Sequence, residues 1–165
     1  MGNRFMNKAE FRETAGLDPQ AVAERVLSVL AERDTAARGI GAVFESIGPG
    51  RARISMTVRE DMLNGFGICH GGIITVLADT AFAFSCNSYN EMTVASGVSL
   101  DFVTPGQPGD VLTAEAREVF TTGRTGVYDI DVTNQKGQLV AVMRGKSYRL
   151  KGRRIVDLEV DESVK

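Results

Sequence analysis

The chain has one histidine, two cysteines and no tryptophan among its 165 residues. A single imidazole excludes histidine-cluster metal sites and leaves one His at most for any nucleophile–base pair. Cys69 and Cys86 sit in Gly-rich or apolar surroundings without a second pair, so the sequence offers neither a disulfide framework nor a zinc knuckle, and both read as reduced, structural thiols. Cys69 and His70 do not make a dyad, because adjacent side chains diverge in helix and strand alike. Long apolar runs are also missing: none reaches the roughly 18 residues that cross a bilayer, and the N-terminus carries no apolar leader segment. A cytoplasmic location with no membrane partner is expected. Excess charge of one sign is the last absence, with 19 Lys+Arg against 21 Asp+Glu. Nothing general therefore draws the chain to nucleic acid, and an anionic ligand would need a local basic patch.

The length and a 43% apolar content fit one globular domain. Residues 1–17 are polar with scattered Phe5, Met6 and Phe11, a short helix or loose arm without an assigned function. Asp18-Pro19 reads as a helix cap with proline at the first helical position, and Val22, Val26, Leu27 and Leu30 recur at helical spacing to about Arg33. Gly39 and Gly41 end that segment. The period then changes to two. Val43 to Ile47, a turn at Gly48-Pro49-Gly50, and Ala52 to Val58 form a hairpin pattern. Alternation returns in four later runs, Thr93–Val103, Val111–Phe120, Val127–Thr133 and Leu139–Leu150, separated by Pro105-Gly106, Pro108-Gly109, Gly123 and Lys136-Gly137. These limits divide the chain into an N-terminal arm and amphipathic helix (1–38), one folded domain (39–152) and a charged, exposed tail (153–165).

Everything is arranged around Asn64–Asn90. From Ile73 to Cys86 apolar residues fall on every side of a helical wheel, which predicts a helix buried all round. Two strands, that helix, then four strands imply an antiparallel sheet wrapped around a single helix, an α+β architecture. Asp79 is the one residue between Gly71 and Asn90 that carries charge at neutral pH, and a mid-helix aspartate in apolar company needs a partner or a task. The helix start at Gly71-Gly72 offers unsatisfied N–H groups and a positive dipole end, with glycines that permit close approach of a carbonyl. An amide electrophile and a carboxylate together suit acyl transfer. Eight residues of helix rise about 12 Å, however, so Gly71 and Asp79 of one chain cannot both reach one carbonyl carbon. Either Asp79 is not catalytic or a second copy, related by a two-fold axis, completes the site.

Asn64-Gly65, Cys69-His70-Gly71-Gly72 and Leu77-Ala78-Asp79-Thr80-Ala81-Phe82 resemble the signature of hotdog-fold acyl-CoA thioesterases, most closely the PaaI type of phenylacetate degradation. The likeness runs from Glu32 to about Gly152 and includes Met62-Leu63-Asn64-Gly65, Asp101-Phe102, Pro105-Gly106, Thr125–Asp129 and Arg144–Ser147. It implies a hotdog fold, with a helix wrapped by a curved antiparallel sheet, in homodimers joined edge to edge or homotetramers of two such dimers. By the same resemblance Asp79 matches the catalytic carboxylate, acting as nucleophile or general base. Gly71 matches the N–H that polarises the thioester carbonyl, and Asn64 and His70 match polar residues near that carbonyl and the attacking water. The implied substrate is a (hydroxy)phenylacetyl-CoA or a related acyl-CoA, with no cofactor and no metal.

Simpler roles stand beside these. Asn64-Gly65 is also a turn pair, His70 could bond a loop carbonyl, and Thr75 and Thr80 could back-bond along the helix. Ser96 and Ser99 are both candidates for an extra hydroxyl from the strand after the helix. The basic run Arg144, Lys146, Arg149, Lys151, Arg153 and Arg154 is a solvated face or a phosphate contact. Two other functions fit the same fold. A hotdog hydratase has His five residues after its Asp, where this chain has Phe84. A non-catalytic acyl-CoA sensor would lose the acid and gain a DNA-binding segment.

Overall fold

The computed structural model describes residues 16–158. Asp18 caps the first helix, its carboxylate accepting from the Ala21 N–H at 3.2 Å, and Pro19 opens α1 (Pro19–Arg33). A second, five-residue helix, α2 (Thr35–Gly39), follows at once; Asp34 caps it by accepting from the Ala37 N–H at 2.9 Å. The strands are β1 (Val43–Gly48), β2 (Arg51–Thr57), β3 (Thr93–Phe102), β4 (Val111–Thr122), β5 (Thr125–Thr133) and β6 (Leu139–Arg149), with the long helix α3 (Gly71–Asn87) between β2 and β3. They form one antiparallel sheet in the order β1-β2-β4-β5-β6-β3. Glycines with positive φ make the tight turns, Gly50 at 69° between β1 and β2 and Gly123 at 55° between β4 and β5.

The sheet's inner face packs on α3. Ile54, Met56, Leu112, Ile130 and Met143 from the sheet and Leu77, Ala78, Ala81, Phe82 and Phe84 from α3 belong to one buried cluster. Fully burying a side chain as large as Leu77 or Phe82 contributes about 1.5–3 kcal/mol relative to leaving it in water. The Phe82 ring meets Tyr128 at a centroid distance of 5.4 Å and lies against Gly145 of β6. A Cβ at position 145 would come within 2.9 Å of three Phe82 atoms, which is why the middle of an interior strand carries a glycine there.

Two expectations change. The helix is not buried all round: Gly72 and Asp79 are exposed, while Thr75, Val76 and Ala83 on the same stripe are only partly covered. The sheet, α1 and α2 pack on the rest of α3 and leave this stripe open. The tail also holds on to the body further than its charge suggests. Asn90, at φ 59°, accepts from the N–H groups of Ile155 and Val156 at 3.1 and 3.0 Å and donates to the Val156 carbonyl at 2.9 Å. The expected arm at residues 1–17 lies, up to residue 15, outside the described residues. No helix among the described residues is long and apolar enough to cross a membrane.

Candidate functional site

The loop before α3 folds back on itself through Leu63 pairing with Cys69, and the His70 N–H donates to the Met62 carbonyl at 2.8 Å. Asn64 anchors the loop. Its Oδ1 accepts from the Phe66 N–H at 2.9 Å and the Ile68 N–H at 3.4 Å, an Asx turn that fixes the amide's orientation and leaves Nδ2 without an acceptor among the described residues. The turn occupies only the carbonyl end of the side chain.

His70 does not bond a loop carbonyl with its ring. It is the N-cap of α3, with φ −61° and ψ 131°, and its Nδ1 accepts from the Gly72 N–H at 2.9 Å. With Nδ1 as acceptor, the neutral ring carries its proton on Nε2, which makes no hydrogen bond among the described residues. The Ile73 and Ile74 N–H groups donate to the His70 carbonyl at 2.9 and 3.2 Å. Of the first four N–H groups of the helix, only that of Gly71 finds no acceptor among the described residues. One loop and one helix start therefore present three unused donors: Asn64 Nδ2, His70 Nε2–H and the Gly71 N–H.

The two glycines have a reason besides ligand approach. A Cβ on Gly72 would lie 3.1 Å from His70 Nδ1, and a Cβ on Gly71 would lie 2.7 Å from Cζ of Phe102. Two aromatic rings occupy the space those side chains would need.

Asp79 stands on the open stripe, two turns along α3, with no hydrogen bond or ion pair among the described residues. The protein mass around it raises its carboxyl above the ordinary value of 3.8, and the charge of Asp34 adds to the rise. Thr75 and Thr80 back-bond to the carbonyls of Gly71 and Val76 at 2.8 and 2.7 Å, as read from the sequence. Both cysteines are buried, and burial first, then the neighbouring Asp79 charge, pushes the Cys86 thiol up to about 12. Neither is a nucleophile at neutral pH.

Beside the stripe runs β3, bonded to β6 along one side only. The register puts Val98, Leu100 and Phe102 opposite Gly145, Met143 and Ala141, on the sheet face that meets α3, yet Val98 and Phe102 are 49% and 57% exposed. Ser99 lies opposite the exposed Arg144, on the outer face, and Ser96 donates to the Lys146 carbonyl at 3.1 Å at a bulge. Of the basic run, Arg144 grips Asp129 through two hydrogen bonds of 2.8 and 3.1 Å and Arg149 pairs with Glu91 at 2.9 Å. No group of three or more His, Cys, Asp or Glu able to hold a metal ion occurs among the described residues.

Residues 66–141, which span the helix start, Asp79 and β3 to β5, match the thioesterase superfamily. The acyl-coenzyme A thioesterase PaaI of Escherichia coli (strain K12) is 47% identical over 121 residues, covering 73% of this chain and 86% of the relative. The chain belongs to the thioesterase superfamily. The solved structure of the E. coli PaaI protein from the phenylacetic acid degradation operon superposes with a TM-score of 0.81 at 43% identity, over 82% of this chain and 99% of that one. A thioesterase protein of Streptococcus pneumoniae solved with coenzyme A superposes with a TM-score of 0.65 at 27% identity, over 68% of this chain and 88% of that one. The six-stranded antiparallel sheet around α3 is thus the hotdog architecture of thioesterases.

Proposed function

We propose that this protein is an acyl-CoA thioesterase that hydrolyses arylacetyl-CoA or related thioesters, with each site built from two copies of the chain. One observation carries the reading: an unbonded helix N–H at Gly71 and an unpartnered carboxylate at Asp79 share one helix, about 12 Å apart by its rise, beside an unpaired strand edge. A second copy bonded along β3 would extend the sheet, cover the exposed Val98 and the open stripe, and bring its Asp79 towards the first copy's Gly71. The relatives named above support the substrate class.

In this site the thioester carbonyl accepts from the Gly71 N–H, with Asn64 Nδ2 and His70 Nε2–H as further donors. Donors placed where negative charge develops stabilise the tetrahedral intermediate without reorganising. Asp79 of the second copy takes a proton from water as the water oxygen attacks the carbonyl carbon. The C–S bond then breaks and coenzyme A leaves as a thiolate. The general-base role suits a carboxyl whose basicity is raised by its surroundings. Dimer burial would raise it further.

The test is free-thiol release from phenylacetyl-CoA, hydroxyphenylacetyl-CoA and short- and long-chain acyl-CoAs. Asp79→Asn should lower kcat by roughly 10²–10⁴ while leaving acyl-CoA binding in place, because the amide keeps the shape and loses the base. Negligible release across the panel by the unaltered protein, with acyl-CoA still bound, would replace this reading by a non-catalytic acyl-CoA-binding role.

A further inference from the structure

We infer that Phe102 selects the acyl group, its ring forming the wall against which the acyl chain lies once the carbonyl is held at Gly71. The inference rests on the thioesterase reading above. Phe102 ends β3 on the face that meets α3, opposite Ala141. Its Cζ lies 2.7 Å, and its two ε carbons 3.2 and 3.3 Å, from where a Gly71 Cβ would stand. The tip of the ring therefore rests on the residue whose N–H is free, while 57% of the residue remains open. An interior ring normally hides such area; this one is held bare beside an unsatisfied donor.

The consequence is geometric. A carbonyl oxygen bonded to the Gly71 N–H sits about 3 Å from the nitrogen, and the ring tip rests at the Cβ position of the same residue, so an acyl group directed towards β3 passes beside the ring. Aromatic pairs gain over plain apolar contact when ring centres come within about 4.5–7 Å. A planar aryl group one carbon from the carbonyl can reach that range, whereas a flexible straight chain gains only apolar contact and loses rotamer freedom. Glycine at position 71 follows from the same packing, since any side chain there would drive the ring out of place.

The experiment compares kcat/KM for phenylacetyl-CoA and hexanoyl-CoA in the unaltered protein, Phe102→Leu and Phe102→Ala, with oligomer size checked for each. The aryl-to-straight-chain ratio should fall about two- to tenfold, the worth of one aromatic pair. A ratio that stays put, whether both rates hold or both drop together, overturns the assignment and leaves Phe102 as packing. Gly71→Ala gives a second reading that does not depend on how well the Phe102 variants fold alone. It should lower aryl turnover by a larger factor in the native background than in Phe102→Ala, where the new methyl meets no ring; equal factors would also overturn the proposal. Absence of thiol release from these two substrates alone would overturn this inference, whereas absence across the whole acyl-CoA panel would defeat the thioesterase reading as well.

Discussion

Two inactive variants should restore each other if the site is shared. Gly71→Pro removes the one unbonded N–H at the helix start, and the local geometry suits it: Gly71 is the first helical residue, and His70 before it has φ −61° and ψ 131°, the extended conformation that a residue preceding proline requires. The new ring carbon pushes on Phe102, so the folding and size controls are read first for this variant. Asp79→Ala removes the carboxylate from the open stripe. Each pure dimer then lacks one component at both of its sites. After mixed unfolding and refolding in equal amounts, random pairing makes about half the dimers mixed. Each mixed dimer has one site with both defects and one with neither, so about a quarter of native activity should return. The assay is thiol release before and after exchange, with size and circular dichroism confirming folded dimers in every sample. With those controls met, no recovery would refute the two-copy site, since a site within one chain regains nothing.

Asp79→Asn should raise the melting temperature at neutral pH while lowering activity. A carboxyl whose folded value lies above 3.8 keeps its proton longer in the native state, so it costs stability as pH rises from 3.8 through that folded value, and the amide removes the cost. A lower melting temperature measured by calorimetry would point to a structural ion pair instead. Asp34→Asn keeps the cap of α2, because Asn caps as well as Asp, but deletes the like charge that adds to the rise at Asp79. The acid limb of the pH–rate profile should move to lower pH; an unmoved limb would separate the two carboxylates. Gly145→Ala should destabilise by about 1–3 kcal/mol in a denaturant titration, since Phe82 is fully buried and cannot turn aside. A neutral result would mean that the β6–α3 packing is looser than its distances imply.

The strands and both long helices were legible because each carries its own period. Asp18-Pro19 and Gly71-Gly72 marked helix starts, and turn glycines marked strand ends. Helix α2 was not legible: Thr-Ala-Ala-Arg-Gly has no periodic face, and its stability comes from Asp34 beneath it and from packing over Ala37. The burial of α3 was overread for a physical reason. Apolar composition says that a helix must be covered, not that its own chain does the covering, and Val76 and Ala83 look the same from sequence whether a sheet or a second copy lies over them. Asn64, His70, Gly71 and Asp79 were singled out as chemical types, but which atoms of Asn64 and His70 are already bonded within the chain could be read only from the hydrogen bonds. Phe102 stood in the sequence only as part of the Asp101-Phe102 stretch of the likeness, and its place against Gly71 came with the fold, which brings the end of β3 to the helix start. The same holds for Asn90, whose grip on residues 155 and 156 joins segments with no shared pattern.

The strand order has a consequence for how the chain comes off the ribosome. Strand β3 follows α3 directly, yet its one neighbour in the sheet is β6, the last strand made. Until Leu139–Arg149 emerges, α3 and β3 wait with apolar surface uncovered, while β4 and β5 already pair through their two-residue turn. Closing β3 onto β6 is a long-range event and so a slow one. A nascent chain stalled before Leu139 would display β3 with both edges bare, a template for pairing with another chain.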